Sequence, residues 1–154
     1  MKKVTLFTAA LLLSQSGFAE TFSGKGTAIL GGKAEVPYTT TLKVEIVEKD
    51  KAAQFTEVTK LANGEIINET HTVKIGDKGV VTVVGKGGVV IGGGYCFHQK
   101  DGGKWCDYRA QTAGGVLHQN FYHDKTNGML HRMGDMVGND GNGFWSDTLI
   151  LEKP

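Results

Sequence analysis

No stretch of this sequence keeps a helical repeat between successive turn signals, so a helix-built core is excluded. Proline is nearly absent, at 2 of 154 residues, which leaves no room for a proline-rich linker. Cysteine is limited to Cys96 and Cys106. Beyond the N-terminus no apolar run approaches the ~18 residues that a membrane helix needs, so no transmembrane segment is expected. Neither sign of charge dominates, with 17 Lys and Arg against 16 Asp and Glu. That balance gives no electrostatic case for a nucleic-acid partner or an anionic membrane surface.

Glycine, by contrast, is abundant at 23 residues, without the strict period of a collagen or β-roll repeat. Met1 to Ala19 carries Lys2 and Lys3, an apolar run from Val4 to Leu13, and a small-x-small site at Gly17-Phe18-Ala19. It reads as a bacterial-style secretory signal cleaved near Ala19, and predicts a periplasmic or secreted product. Losing Lys2 and Lys3 takes the 17 basic residues to 15 against 16 acidic ones, a mature net charge of one negative. About 135 residues remain, enough for a single domain over 20–154 with a real core. Export places both cysteines in an oxidising compartment, where an even count normally means a bridge.

The rest of the chain is alternation and punctuation. Thr21 to Leu30 reads as a first strand. In the second, Val36 to Val47, Thr40, Leu42, Val44 and Ile46 alternate with Thr41, Lys43 and Glu45, the pattern of a half-buried strand. Ala53 to Ala62 and Glu65 to Ile75 flank Asn63-Gly64, a strong two-residue hairpin signal. Further turns at 76–79, 85–88, 100–102, 113–115, 126–128 and 138–143 imply about ten strands. Such a series predicts an all-β fold, an antiparallel up-and-down meander closed into a barrel to remove its edges. A two-sheet β-sandwich is the competing arrangement.

The hairpin around the cysteines fixes its own register. A three-residue loop at Lys100-Asp101-Gly102, with glycine in the left-handed region, pairs His98 with Lys104, Phe97 with Trp105 and Cys96 with Cys106. Opposed strand residues lie about 4.5 to 5.5 Å apart, within reach of a disulfide. Tyr95, Phe97 and Trp105 share one face, which is expected to form a wall of a ligand cavity. Gly92-Gly93-Gly94 marks a bulge or tight bend and not a phosphate loop, because no helix follows it.

The same three-residue rule at Thr126-Asn127-Gly128 pairs His123 with His131 and Phe121 with Met133. One face then shows Leu117, Gln119, Phe121 and His123 beside Met129, His131, Met133 and Asp135. This face, the richer in large apolar and soft side chains, is expected inward, although a turn one residue longer or shorter changes the opposing pairs. Its Phe, Met, His, Gln and Asp suit an amphipathic cavity. Met129, His131 and Met133, with His123 opposite, also form a soft set of Cu(I) type. Yet neighbours on one strand face stand nearly 7 Å apart, too far for one ion to take all from a regular strand. No cofactor is therefore expected. No nucleophile elbow, paired-carboxylate or zinc-spacing motif is present. Glu69 and His71 share a strand face, and an exposed polar face explains them more simply than an acid–base pair.

Phe22-Ser23-Gly24-Lys25-Gly26 resembles the aromatic-x-Gly-x-Gly opening of calycin-type barrels, the lipocalin, fatty-acid-binding and nitrobindin-like groups. Trp145 to Lys153 is similar to their closing strand. Phe22 stands where tryptophan is usual, Leu30 to Val36 leaves no room for a helical lid, and the last histidine, His131, lies far from the C-terminus. The resemblance thus implies architecture alone. The expected function is an exported barrel holding a small amphipathic or apolar molecule without catalysis. The cavity candidates are Tyr95, Phe97, Trp105, Phe121, His123, Met129, His131 and Met133. A protein-interaction or protease-inhibitor-like envelope module, or copper or haem binding through His123 and His131, are the alternatives.

Overall fold

A computed structural model of the protein describes residues 19–49, 51–100, 102–112, 115–138 and 141–152. The expected leader lies outside these residues apart from Ala19, as do Asp101, Ala113, Gly114, Asn139 and Asp140 of three expected turns. The strands are β1 (Ala19–Leu30), β2 (Glu35–Glu48), β3 (Ala52–Leu61), β4 (Ile66–Ile75), β5 (Val80–Val84), β6 (Val90–His98), β7 (Lys104–Thr112), β8 (Gly115–Asp124), β9 (Met129–Gly138) and β10 (Gly141–Leu151). Each pairs antiparallel with its neighbours in sequence, and β1 pairs with β10, which closes the barrel. The meander is the one expected from sequence, and closure removes every edge.

The cysteine hairpin has the expected register. The Gln99 N–H donates to the Gly103 carbonyl at 2.9 Å, the Gly102 N–H donates back to Gln99 at 3.0 Å, and Gly102 takes a φ of 81°. Cys96 and Cys106 are therefore opposed, with Cα atoms 4.1 Å apart, and form a disulfide. Both are buried and point into the barrel. Strand alternation then forces Tyr95, Phe97 and Trp105 outward.

The β8–β9 turn is one residue longer than expected. Asp124 pairs with Met129, leaving Lys125 to Gly128 as the connection. The cause is Asp124, whose carboxylate accepts from the backbone N–H groups of Thr126 at 2.9 Å and Asn127 at 3.2 Å, and from the Asn127 side chain at 2.7 Å. His123 consequently faces Leu130, and Tyr122 faces His131. The extra residue turns β9 over: Leu130, Arg132, Gly134 and Met136 point inward, while Met129, His131, Met133 and Asp135 point outward.

The β3–β4 turn shows the same lengthening. The Leu61 N–H donates to the Glu65 carbonyl and the Gly64 N–H to Leu61, so the loop is Ala62-Asn63-Gly64 and not the expected two residues. This brings Ile67, Glu69, His71 and Val73 inward, opposite Thr59, Glu57, Phe55 and Ala53.

The barrel is packed at one end only. Phe22, Leu42, Val44, Val73, Val81 and Leu149, with the disulfide, form one continuous buried cluster. Burying a side chain of this size stabilises by about 1.5–3 kcal/mol. Towards the other end, where the β1–β2, β3–β4, β5–β6 and β9–β10 connections lie, Ala28, Tyr38 and Leu61 form a smaller buried group among the described residues.

Candidate functional site

Between the packed end and the open end lies a belt of buried polar groups. Arg132 is its centre, 5 % exposed. Its Nε and Nη2 donate to the two carboxylate oxygens of Asp147 at 3.0 and 2.7 Å. Its Nη1 and Nη2 donate to the two oxygens of Glu57 at 2.9 and 2.8 Å. Asp147 is the cross-strand neighbour of Arg132, whereas Glu57 belongs to β3, on the far wall. The hydroxyl of Tyr38 donates to Asp147 at 2.8 Å, and that of Thr40 to Glu57 at 2.9 Å.

Burial alone would raise the Glu57 carboxyl, but the Arg132 charge and hydrogen bonds from Arg132, Thr40 and Thr59 pull it below the ordinary range. Burial, reinforced by Asp147, pushes the Tyr38 phenol far up, so it is a neutral donor. Charge-assisted bonds of this number fix the belt as a rigid floor.

A second polar chain adjoins it. Tyr108 is buried and donates to the Gln119 carbonyl oxygen at 3.1 Å, while its oxygen lies 2.9 Å from Nε2 of His71. Because the phenol proton is committed to Gln119, Nε2 of His71 must be the donor, which leaves Nδ1 as an acceptor. Burial holds the His71 imidazole below its usual pKa, consistent with this neutral tautomer.

Above the floor the barrel is hollow. A cavity of about 140 Å³ is walled by Leu30, Leu61, Ile67, Leu117, Met136 and Trp145, with Tyr38, Glu57, Thr59 and Gln119 at its polar base. A neighbouring space of about 250 Å³, lined by His71, Val83, Ile91 and Tyr108, shares Glu69 and Leu117 with the first. The room comes from inward glycines. A Cβ at Gly134 would overlap the Trp145 indole, and one at Gly26 the Tyr38 ring, so both aromatics lie over bare backbone against the wall.

Glu69 is the ionisable group left over. It opposes Glu57 directly across β3 and β4 and lines both spaces. Among the described residues no hydrogen-bond donor or cation is bonded to its carboxylate. Burial first, and the charge of Glu57 second, hold its carboxyl above the usual range.

The side chains singled out from sequence fall elsewhere. Tyr95 and Phe97 are exposed on the outer wall, 55 % and 49 %, and stack in a row with Trp105 at ring separations of 6.3 and 5.9 Å. Tyr122 and His131 continue this outer row, stacked at 6.3 Å. Phe121 points inward but belongs to the packed end, against Phe55 and Tyr108. His123 is inward at the same end, its ring 5.5 Å from that of Phe22. Met129, His131 and Met133 point outward, so they do not converge with His123. Among the described residues no group of three or more His, Cys, Asp or Glu is arranged to hold a metal ion. Glu69 and His71, expected together on an exposed polar face, both face the lumen; Glu69 is still exposed to solvent at its open end, while His71 is partly buried. Arg132 is the one arginine of β9, and the shorter turn, by placing Met129, His131 and Met133 inward, put it on the outer face.

No known family matches the sequence, and no curated protein matches it. The solved structures do. An S-type phycobiliprotein lyase from Guillardia theta superposes with a TM-score of 0.62 over 95% of this chain and 93% of that one, at 8% identity. At that identity the likeness is one of fold.

Proposed function

We propose that this barrel is an exported binding protein that holds a small, partly apolar molecule at its open end, without covalent chemistry. The observation that carries this reading is the half-filled lumen: apolar walls above a rigid polar floor, where a solid core of the same strands would be more stable. An apolar cavity of about 150 Å³ takes a benzene ring. The first space therefore suits a ring or short chain, and the adjoining space allows a longer one. The disulfide supports export to an oxidising compartment. The barrel fold shared with the Guillardia theta phycobiliprotein lyase is compatible with a ligand in the lumen.

The test is native mass spectrometry of protein purified without detergent, followed by displacement of a neutral fluorescent probe, N-phenyl-1-naphthylamine. A bound small molecule, or saturable probe uptake abolished by Leu117→Trp, supports the reading. An empty protein that takes up no probe sinks it. The outward row of Tyr95, Phe97 and Trp105 favours a second reading, a protein surface on the outer wall. That reading takes over if the probe fails and the wild type self-associates in sedimentation while a Phe97→Ser variant does not.

A further inference from the structure

The charge inside the open end is unbalanced. Arg132 is the cation of the belt, and it is shared between the Glu57 and Asp147 carboxylates. Glu69 adds a third carboxylate on the Glu57 wall, as the cross-strand neighbour of Glu57, where like charges on facing strands are unfavourable. Lys86, on the rim of the second space, makes no ion pair with it. Arg132 is held by four hydrogen bonds, so it has little to offer an incoming anion. A carboxylate or phosphate entering this space would add a further negative charge where water is partly excluded. A cation would instead give Glu69 the partner it lacks. Trp145 and Tyr38 line the space that Glu69 opens into, and aromatic faces also attract cations.

Building on the small-molecule reading above, we infer that the ligand is an amphipathic organic cation. Its ammonium or similar group pairs with Glu69 at the junction of the two spaces, and its apolar part lies against Leu61, Ile67, Leu117 and Trp145. Glu57 and Asp147 do not bind it directly; their excess charge over Arg132 sets the sign of the field at the floor.

The probes are octylamine, 1-octanol and octanoate, matched in chain length and differing in charge, titrated near neutral pH below their aggregation limits. Fluorescence of Trp145 in a Trp105→Phe background reads the cavity, because Trp105 lies on the outer wall. Octylamine is expected to bind tighter than octanol by about tenfold or more, the effect of a charge-assisted hydrogen bond, and octanoate weakest. In Glu69→Gln the amine loses this preference while octanol affinity is unchanged. The melting temperature of that variant holds or rises, because a like-charge pair is relieved. Octanoate binding as tightly as octylamine, or an amine preference that survives Glu69→Gln, overturns the inference and leaves the small-molecule reading standing. Failure of all three to bind overturns the inference; the small-molecule reading falls with it if N-phenyl-1-naphthylamine also fails to bind, and stands if that probe is taken up.

Discussion

Arg132 of β9 reaches across the lumen to Glu57 of β3, two N–H groups on two carboxylate oxygens at 2.9 and 2.8 Å. The two residues are 75 positions apart, on strands that are not neighbours in the sheet. The bridge ties opposite walls together through the interior and forms the base of the hollow end.

Removing Arg132 leaves Glu57 and Asp147 facing each other in a buried site. Arg132→Met is therefore expected to cost about 3–5 kcal/mol, the usual penalty for leaving a buried charge unpaired. Replacing all three ionic groups by Met, Gln and Asn is expected to cost much less, because the uncompensated charges go too. Urea unfolding of the single and triple variants checks this. Equal losses in both would mean that the bridge matters through its shape and not its charge.

The disulfide closes a short loop with a sequence separation of 10. Chain-entropy arguments give about 2 to 3 kcal/mol for a loop of this size, so Cys96→Ala is expected to lose that much with the barrel intact. Phe97→Ala, one residue away, behaves differently. Its ring is half exposed on the outer wall, and loss of its stacking on Trp105 is expected to cost under about 1 kcal/mol. Chemical denaturation without reductant separates the two, and comparable losses would place the Phe97 ring inside.

Architecture was legible in the sequence because it rests on alternation and on glycine at turns, which are local. Ten strands, their order and the cysteine pairing all follow from such signals. The site was hidden because a face assignment rests on counting the residues of a turn. Asp124 lengthens one turn by capping Thr126 and Asn127, and that single residue moves Arg132 from outside to inside. The loop Ala62-Asn63-Gly64 does the same for Glu69 and His71; a two-residue turn would have put Asn68 and Thr70 inward. The aromatics were misplaced for a simpler reason. Tyr95, Phe97 and Trp105 look like core by composition, but the cysteines claim the inner face of that hairpin.

His118 lies on the outer wall with Nδ1 2.9 Å from Asp135 and Nε2 3.1 Å from Asp107. Partial burial opposes protonation, but the hydrogen bonds to Asp107 and Asp135 outweigh it and raise the imidazole pKa. A histidine raised on folding stabilises fully below its unfolded pKa, near 6.5, and that stabilisation is lost as pH rises through the higher folded value. His71 and His123, both lowered by burial, act in the opposite sense and favour the fold at higher pH. The stability difference between wild type and His118→Gln is thus expected to be largest below about pH 6.5 and to shrink above it. Melting temperatures of both proteins across this range measure it, and a difference independent of pH would mean that His118 is neutral in the fold.

Gly134 sets the width of the cavity. A Cβ placed there would come within 2.6 Å of Cε2 of Trp145 and 2.7 Å of the His118 carbonyl oxygen. The carbonyl belongs to a paired strand and moves little, so the indole must give way, and the space open to it is the hollow it lines. Gly134→Ala is expected to cost about 1–3 kcal/mol, as overpacking does, and to weaken uptake of N-phenyl-1-naphthylamine as the ring tilts inward. Trp145 emission, read in a Trp105→Phe background, should shift together with the loss of uptake. Unchanged emission and unchanged uptake would show that Trp145 does not wall the space in solution, and the assignment of the open end as the binding site would fall with it.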